Sequence, residues 1–368
     1  MNPVEGQQPN VGKHSAAAAP VRSERPTEAR QAPAGPPEQP DVLVFGAGLV
    51  GGWVGAHLAG AGLTVTLVGR AERLAPIAST GYTLTDLDGN QSQVEASALT
   101  FASQLPRQCR PDLTLLCVKS GATRQAAAAL AQVLPPGSLV LTLQNGVANV
   151  EQARIAAPQL RWRAGMVSYN VAELAPGRLH RGTGGVLMAQ ADPALEPWVA
   201  HFTAAGVPLA LHADMTTVLW AKLLINLNNP VNALSGLPLR AELLDRGYRR
   251  CFAALMDEAL EVLDAAAITP ARLIALPMHR LPALLRLPTP LFRVIAARLL
   301  RIDPLARSSM ANDLARGRPT EIDALCGEVV RLAASLDREA PLNRRLLELM
   351  SHKPRRRSSA ELLHDLGA

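Results

Sequence analysis

Residues 41–70 read DVLVFGAGLVGGWVGAHLAGAGLTVTLVGR: a short apolar strand, a glycine turn, a helix of small residues and a second strand. This order describes one βαβ unit. Strand-like runs follow at LTLLCV (113–118) and LVLTLQ (139–144), with the helix-like TRQAAAALAQVL between them. Strands that alternate with helices predict a parallel, doubly wound sheet of the Rossmann type. Short apolar runs between residues 162 and 212 predict further strands that complete this sheet.

After about residue 216 the apolar periodicity is helical almost to the end of the chain. The predicted helical segments are 217–234, 241–266, 270–300, 305–316 and 320–337. We therefore predict an α/β fold in which an N-terminal Rossmann domain precedes an all-α C-terminal domain. The predicted organisation is a disordered extension (1–40), a Rossmann domain (41–214), a helical domain (215–350) and a mobile basic tail (351–368).

Composition excludes several classes of function. The 368 residues are 48% apolar and 3% aromatic, which predicts a globular protein with aliphatic cores. The formal charge is +6, but arginine-rich ends supply much of the excess and no basic block is interleaved with aromatic residues, so nucleic acid is not an expected partner. No run of 18 apolar residues occurs, so no membrane span is predicted.

Cysteine and histidine spacing gives no sign of a metal or disulfide site. The four cysteines, Cys109, Cys117, Cys251 and Cys326, stand far apart without a CxxC pair, which predicts reduced thiols in a cytoplasmic protein. The eight histidines form neither HxH nor HExxH, and no GxSxG is present. We therefore expect neither a metalloenzyme nor a serine hydrolase.

The glycine turn after the first strand carries the GxGxxG dinucleotide-binding fingerprint. Its residues are Gly46, Ala47, Gly48, Leu49, Val50 and Gly51. The first glycine makes the tight turn, the second lets the backbone approach a pyrophosphate, and the third lets helix and strand pack closely. The following helix presents free N–H groups and a positive dipole end to the phosphates. The alternative is an ordinary turn in an alanine-rich chain.

The end of the second strand predicts which nicotinamide cofactor binds. Proteins that bind NAD place an acidic residue there, on the ribose 2′-hydroxyl. Here the strand ends in Gly69 and Arg70, and Arg73 follows one turn later. A cation without an acid favours a 2′-phosphate, so the predicted cofactor is NADPH. Either arginine could instead be a solvated surface residue.

Lysine is rare, since only four of the 37 basic residues are lysines. Lys13 and Lys353 lie in polar end segments, where arginine would serve equally well. Lys119 and Lys222 lie in apolar surroundings, where an ammonium with an adjustable pKa differs in kind from a guanidinium. Lys119 follows the strand LLCV, and Asn145 follows LVLTLQ, so both are expected at the carboxyl edge of the sheet, where such folds bind ligands.

The segment WAKLLINLNNP places Lys222, Asn226 and Asn229 at positions i, i+4 and i+7, on one face of a helix. Their neighbours are apolar. An ammonium and two amides buried without partners would each cost several kcal/mol. They must therefore face a ligand, a cleft or a buried hydrogen-bonded network.

A carboxylate and hydroxyls for this site occur later in the chain. Glu321 follows Thr320 in the first turn of a predicted helix, where an acid also complements the helix dipole. The run Ser308-Ser309-Met310 begins another helix. A hydroxyl there could bind a substrate carboxylate or simply cap the helix.

In combination, GAGLVGG, CVKS, LQNG, WAKLLIN, and SSM followed by TEID resemble the ketopantoate reductases (2-dehydropantoate 2-reductases), within the wider 6-phosphogluconate dehydrogenase-like group. The resemblance covers about residues 41–350. It implies NADPH-dependent reduction of 2-dehydropantoate to (R)-pantoate in pantothenate biosynthesis, by a monomer or homodimer. Residues 41–214 would then bind NADP, and residues 215–350 would bind substrate and form any dimer contact.

The resemblance also implies roles for single residues. Lys222 resembles the family's catalytic lysine and Glu321 the acid beside it. Asn226 resembles a substrate-binding amide, and Ser309 the hydroxyl that meets the substrate carboxylate. The remaining matches are Asn145 and Lys119 in the cofactor and substrate cleft, and Arg70 at the 2′-phosphate.

One position departs from the family's pattern. The residue four positions after the first substrate asparagine is Pro230, where the best-known members have a second asparagine. Asn229 or Asn232 could replace it. This departure leaves open a related NADP-dependent reductase of another 2-oxo acid. A separate alternative, from another class of function, is a catalytically silent NADPH-binding sensor.

Overall fold

A computed structural model describes residues 40–107, 109–297, 300, 302–304, 306–352 and 354–368. The extension predicted for residues 1–40 lies, apart from Pro40, outside the described residues. The strands are β1 (Asp41–Phe45), β2 (Thr64–Val68), β3 (Tyr82–Asp86), β4 (Gln91–Val94), β5 (Thr100–Ala102), β6 (Leu113–Leu116), β7 (Leu139–Thr142), β8 (Arg161–Val167), β9 (Val171–Ala175), β10 (Arg178–Arg181), β11 (Leu187–Gln190) and β12 (Leu209–His212).

Helices alternate with these strands and then replace them. The first helices are α1 (Leu49–Gly60), α2 (Ala71–Thr80), α3 (Thr123–Val133), α4 (Asn149–Ala156) and α5 (Glu196–Ala204). After β12 come α6 (Met215–Asn226), α7 (Asn228–Ser235), α8 (Leu239–Leu244), α9 (Arg246–Ala265), α10 (Leu281–Arg286), α11 (Thr289–Ile295), α12 (Ser309–Ala315), α13 (Glu328–Ser335), α14 (Pro341–Ser351) and α15 (Ser359–Leu366).

The larger sheet in the described chain has the order β12-β11-β8-β7-β6-β1-β2-β5, and every neighbouring pair is parallel except β11 with β8. Its two faces are covered by different helices, with α1 on one face and α3 and α4 on the other. This confirms the α/β fold with a doubly wound sheet. The carboxyl ends of β1, β2, β6 and β7 meet at one edge, as parallel strands require.

Two of the strands that were predicted to extend this sheet belong to a second sheet. The strands β9 and β10 form a four-stranded sheet of order β4-β3-β10-β9. The reason lies in α1, which has no polar face and is buried on all sides, so a second layer must cover it. Its small residues allow close approach: a Cβ added at Gly52 would lie 2.7 Å from the Tyr82 hydroxyl of β3.

The helices from α6 onward share one apolar core, distinct from the two cores against the large sheet. The helix predicted over residues 270–300 is wrong. That stretch instead holds a short 3₁₀ turn (Met278–Arg280), α10 and α11. Prolines 277, 282, 288 and 290 cannot donate a backbone hydrogen bond, so they confine each helix to two turns or fewer.

The mobile tail predicted for residues 351–368 is also wrong. Residues 359–366 form α15, which packs on α9 and buries Leu362 and Leu366. Ser358 and Glu361 form a reciprocal capping box at its start, and the Tyr248 hydroxyl donates to the carbonyl of Arg357 at 2.7 Å. The prediction was based on the arginines of this segment and overlooked the apolar spacing of ELLHDL, in which Leu362 and Leu366 lie on the buried face of the helix.

Candidate functional site

The glycine turn between β1 and α1 forms one end of a cleft. Gly46 has φ +115°, and a Cβ there would lie 2.6 Å from the carbonyl carbon of Cys117. A Cβ at Gly51 would lie 2.1 Å from the carbonyl oxygen of Gly46. At Gly48 an added Cβ would meet no described atom within 4 Å. Protein packing therefore requires the first and third glycines, whereas the second faces the open cleft.

The N-terminus of α1 opens into the same cleft. Gly48 is its N-cap and supplies no side-chain acceptor, so the first-turn N–H groups are not capped by a side chain. Ala47, Leu49 and Val50 line the cleft beside it. Uncapped N–H groups at the positive end of a helix dipole suit an anion such as a pyrophosphate.

The two arginines after β2 differ in their contacts. Arg73 donates from Nε to the carbonyl of Ala47 at 3.2 Å and forms an ion pair with Glu173 of β9. Arg70 is exposed, lines the cleft, and has no hydrogen bond or ion pair with the described residues. Arg73 therefore braces the glycine turn, and Arg70 is the cation available to a ligand. Glu173 was not predicted from sequence.

Lys222 lies on α6 at the other side of the cleft. Burial among apolar groups lowers the pKa of its ammonium from 10.5 to about 8. Within the described part of the chain it makes no hydrogen bond or ion pair. Lys222 is partly exposed and faces the cleft. An ammonium whose pKa is lowered in this way can release a proton near neutral pH.

Glu321 makes its hydrogen bonds with the sheet domain. Its Oε1 accepts from the backbone N–H and the hydroxyl of Ser120, both at 3.0 Å, and its Oε2 accepts from Asn145 Nδ2 at 3.1 Å. The Lys119 ammonium lies 3.7 Å from the same oxygen. The family resemblance implied that Glu321 acts beside Lys222, but none of the described hydrogen bonds of Glu321 goes to that lysine. Ser120 is a further residue of this site, and it was not predicted from the sequence.

Lys119 joins the two sides of the cleft through another residue that was not predicted. Its ammonium donates to Asp313 Oδ2 of α12 at 2.5 Å. The Asp313 side chain is largely buried and lies one turn after Ser309. That one-turn spacing is the only local signal that could have pointed to Asp313.

The amides form a short hydrogen-bonded chain that leads from α6 to the carboxylate. Asn226 Nδ2 donates to Asn145 Oδ1 at 3.3 Å, and Asn145 in turn donates to Glu321. Asn149 Nδ2 donates to the carbonyl of Asn145 at 2.8 Å and fixes the turn after β7. Asn226 and Asn145 are thus brought together in the cleft.

The structure separates the two serines and the two further asparagines. Ser308 is the N-cap of α12 and donates to the carbonyl of Asn229 at 3.1 Å. Asn232 is fully buried and holds the backbone N–H of Ser308 and the carbonyl of Leu237 at 3.0 Å each. Ser309 and the Asn229 side chain line the cleft. Asn232 is therefore structural, and Asn229 alone stands beside Pro230 in the cleft.

The cleft encloses about 2380 Å³ and runs from the glycine turn to the helical region. Its size exceeds the range of about 300–1,000 Å³ that is usual for a single small-ligand pocket. Among the described residues, no group of three or more His, Cys, Asp or Glu side chains is arranged to hold a metal ion. None of the described helices is both long and apolar enough to cross a membrane.

Comparison with known proteins identifies the same family over both parts of the chain. Residues 42–193 match the family described as "Ketopantoate reductase PanE/ApbA", and residues 214–354 match its "C terminal" counterpart. A 2-dehydropantoate 2-reductase of Halobacterium salinarum is 29% identical over 316 residues, which covers 84% of this chain and 97% of that protein.

Solved structures of similar fold extend the comparison. A PanE/ApbA family ketopantoate reductase from Ralstonia eutropha JMP134 superposes with a TM-score of 0.71 and 31% identity, covering 85% of this chain and 98% of that one. A D-mandelate dehydrogenase bound to NADH and anilino(oxo)acetate has a TM-score of 0.71 over the same shares, but at 19% identity it shows the fold alone.

Proposed function

The chain belongs to the ketopantoate reductase family, and from this premise we propose that it catalyses the NADPH-dependent reduction of 2-dehydropantoate to (R)-pantoate, a step of pantothenate biosynthesis. Membership makes it a nicotinamide-dependent oxidoreductase. The observation that carries the specific proposal is Lys222: an ammonium with a lowered pKa, free of protein partners in the described chain, in the cleft that the glycine turn opens.

The residues present fit a phosphorylated dinucleotide. Gly48 leaves open space above the first turn of α1, where a pyrophosphate would bind. Arg70 has no partner among the described residues and stands where an NAD-binding protein would carry an acid, so it would hold the 2′-phosphate. Lys119 and Asn145 would border the nicotinamide end of the cleft. When bound, the cofactor supplies the hydride for the ketone carbon.

Lys222 would act on the ketone oxygen. Negative charge grows on that oxygen as the carbonyl is reduced, and a cation in a water-poor cleft stabilises charge where it develops. The ammonium would then give its proton to the oxygen, as a general acid with a pKa of about 8 can do. Asn226 and Ser309 would bind the substrate carboxylate, and Asn229 would complete the wall of the cleft beside them.

Glu321 would act on Lys222 indirectly, through other side chains. Through Asn145 and Asn226 it is connected to the face of α6 that carries the lysine. Through Ser120 it is tied to the sheet domain. We therefore propose that Glu321 keeps the amides in the orientation that the substrate needs, with Lys222 as the proton donor.

Turnover assays test the proposal. The oxidation of NADPH and of NADH is followed with 2-dehydropantoate, pyruvate and 2-oxoisovalerate as substrates. We expect 2-dehydropantoate with NADPH to give the highest kcat/KM, and Lys222→Ala to lose about 10²- to 10⁴-fold in kcat. The exposed Arg178→Ala, on β10 outside the cleft, is the control.

The other outcomes separate the alternatives. If another 2-oxo acid is reduced and 2-dehydropantoate is inert, the reaction type stands and the substrate is wrong. Pro230 at a substrate position favours this second candidate over the remaining ones. If NADPH binds and is never oxidised, the protein is a sensor and the proposal fails.

A further inference from the structure

A buried network of polar side chains supports the wall that α7 forms along the cleft. Asn228 and Asn229, the first residues of α7, line the cleft, and so does Ser308 before α12. Ser308 donates from its hydroxyl to the carbonyl of Asn229 at 3.1 Å, and from its backbone N–H to the Asn232 side chain at 3.0 Å. These bonds tie α7 to the start of α12, on the side of the cleft that carries the proposed substrate contacts.

Glu242 of α8 belongs to this network but does not line the cleft. It has no exposed surface, and its Oε2 accepts from Asn228 Nδ2 at 3.0 Å. Its other oxygen, Oε1, and the Oδ1 of Asn228 have no hydrogen-bond partner among the described residues. A carboxylate with an unpaired oxygen is poorly stabilised in a protein interior, whereas a protonated carboxyl carries no charge there. The geometry therefore favours the neutral acid.

The groups around Glu242 lead to the same conclusion. Burial raises the pKa of its carboxyl to about 8, although the side-chain amides of Asn228 and Asn232 favour the charged form. Asp245 of α9 raises this pKa further, and the Arg249 guanidinium lowers it. None of the described hydrogen bonds of Arg249 goes to Glu242, because this guanidinium donates to three backbone carbonyls and a hydroxyl. Burial also raises the pKa of two further neighbours, which are uncharged at neutral pH: Tyr248 and Cys251.

The bond to Glu242 lies at the junction between α6 and α7. Asn226 ends α6 and Asn228 begins α7, so the Asn228 side chain fixes the backbone between Asn226 and Asn229. Pro230 has no N–H, so the carbonyl of Asn226 cannot accept the helical hydrogen bond that the residue four positions later normally donates. The junction therefore depends more on the side-chain bond to α8.

We propose that Glu242 is a positioning residue for the substrate: by holding Asn228 it orients the cleft-facing side chains of the α6–α7 junction, and it does so only in its protonated form. The inference rests on the proposed reduction at Lys222. Loss of the proton would leave a buried charge, which is relieved if α8 shifts or if the Asn232 amide turns toward it. Either movement disturbs the junction and the contact with Ser308. The substrate should then bind more weakly.

The pH dependence of KM tests the inference on the full-length protein, with NADPH and whichever 2-oxo acid is reduced best. Wild-type KM for the 2-oxo acid should rise about tenfold between about pH 7 and pH 9, as the ionisation of a group with a pKa of about 8 requires. Glu242→Gln keeps an acceptor for Asn228 and cannot ionise, so its KM should stay within about twofold of the wild-type value at neutral pH. In both proteins kcat should fall as Lys222 loses its proton, and KM for NADPH should not change.

Asn228→Ala removes the same bond from the other side. It should raise KM for the 2-oxo acid about tenfold at neutral pH and change kcat less than about threefold, because the lost interaction is one of binding. The matched control is Glu328→Gln on α13. Glu328 is buried, pairs with Arg331 at 2.9 Å and does not line the cleft. In this control KM should rise with pH as in the wild type.

A spectroscopic readout needs no turnover. Infrared difference spectra of the wild type, taken between about pH 7 and pH 9, should show the loss of the C=O band of a protonated carboxyl group. The same spectra of Glu242→Gln should lack this band. A wild-type spectrum without the band would show that Glu242 is already charged at neutral pH, and would overturn the inference.

The kinetic results separate the inference from the proposed function. If KM of Glu242→Gln rises with pH as in the wild type, another group, such as Lys222, is responsible. If Asn228→Ala leaves KM for the 2-oxo acid unchanged, or raises KM for NADPH equally, Glu242 has only a structural role. If no 2-oxo acid is reduced although the infrared band is present, the proposed function is wrong and Glu242 has no substrate to position.

Discussion

Lys222 owes its chemistry to its surroundings, since the same side chain in water holds its proton up to a pKa of 10.5. Burial on α6 disfavours the charged form and lowers that value to about 8. The ammonium is still the main form at neutral pH, so it can both attract a developing oxyanion and protonate it. An arginine in its place would keep its proton, so the proposed role of proton donor requires a lysine at this position.

The lowered pKa predicts how the rate depends on pH. In the proposed mechanism reduction needs the protonated lysine, so kcat for reduction should fall as pH rises through about 8. The reverse reaction, oxidation of the hydroxy acid, would need the neutral amine, so its rate should rise through the same range. Stopped-flow measurement of both directions provides an internal control, because a change that affects the whole protein would move both rates the same way.

Arg70 predicts the choice of cofactor. Removing its charge by Arg70→Ala should raise KM for NADPH about 10- to 150-fold, since a charge-assisted hydrogen bond contributes about 1.5–3 kcal/mol. KM for NADH should stay the same, because NADH has no 2′-phosphate. Arg178→Ala, an exposed arginine of β10, should change neither value. An equal rise for both cofactors would show that Arg70 does not meet the 2′-phosphate.

At the scale of elements, α15 shows how far local composition can mislead. The arginines at 355–357 suggested a solvated tail, but the helix that follows buries two leucines against α9. Likewise, the strand pattern of β9 and β10 was correct while their partners were not. Strand propensity is local, whereas the neighbour of a strand is decided by which surface remains to be covered, here the apolar α1.

The role of α15 can be measured through stability. Leu362→Ala removes a side chain with no exposed surface, so we expect the free energy of unfolding to fall by about 2–5 kcal/mol. Urea denaturation followed by circular dichroism gives this value. The control is Leu174→Ala on β9, which is 62% exposed and should cost less than about 0.5 kcal/mol. If Leu362→Ala were as stable as the wild type, the interpretation of residues 351–368 as a mobile tail would be correct after all.

At the scale of the whole molecule, the described residues form one compact unit in which sheet edge and helices share the cleft. The glycine turn, the sheet class and the face of α6 could be predicted because each depends on spacing within a few residues. The partners of Lys119 and Ser120 could not, since Asp313 and Glu321 lie about 200 positions later. A local sequence pattern does not predict which carboxylate, far along the chain, a given residue will contact.

A ligand that fits this cleft should stabilise the whole unit. At a free concentration of 100 times its Kd, NADPH should add about 2.7 kcal/mol to the free energy of unfolding. Thermal unfolding should therefore occur at a higher temperature with NADPH than with the same concentration of NADH. In the Arg70→Ala protein the difference between the two cofactors should disappear. A shift that persists there would assign the discrimination to another residue.

The placement of the lysines has a practical consequence for chemical labelling. Lys119 and Lys222 both line the cleft, and the other two lysines lie in the terminal segments of the sequence. Amine-reactive dyes, cross-linkers and coupling resins therefore have few alternatives to the α-amino group, the terminal lysines and the cleft itself. Coupling at mildly alkaline pH, where the neutral fraction of Lys222 grows, would block the cleft. Attachment through an added tag avoids that outcome, and protection from such reagents by bound nucleotide would report occupancy directly.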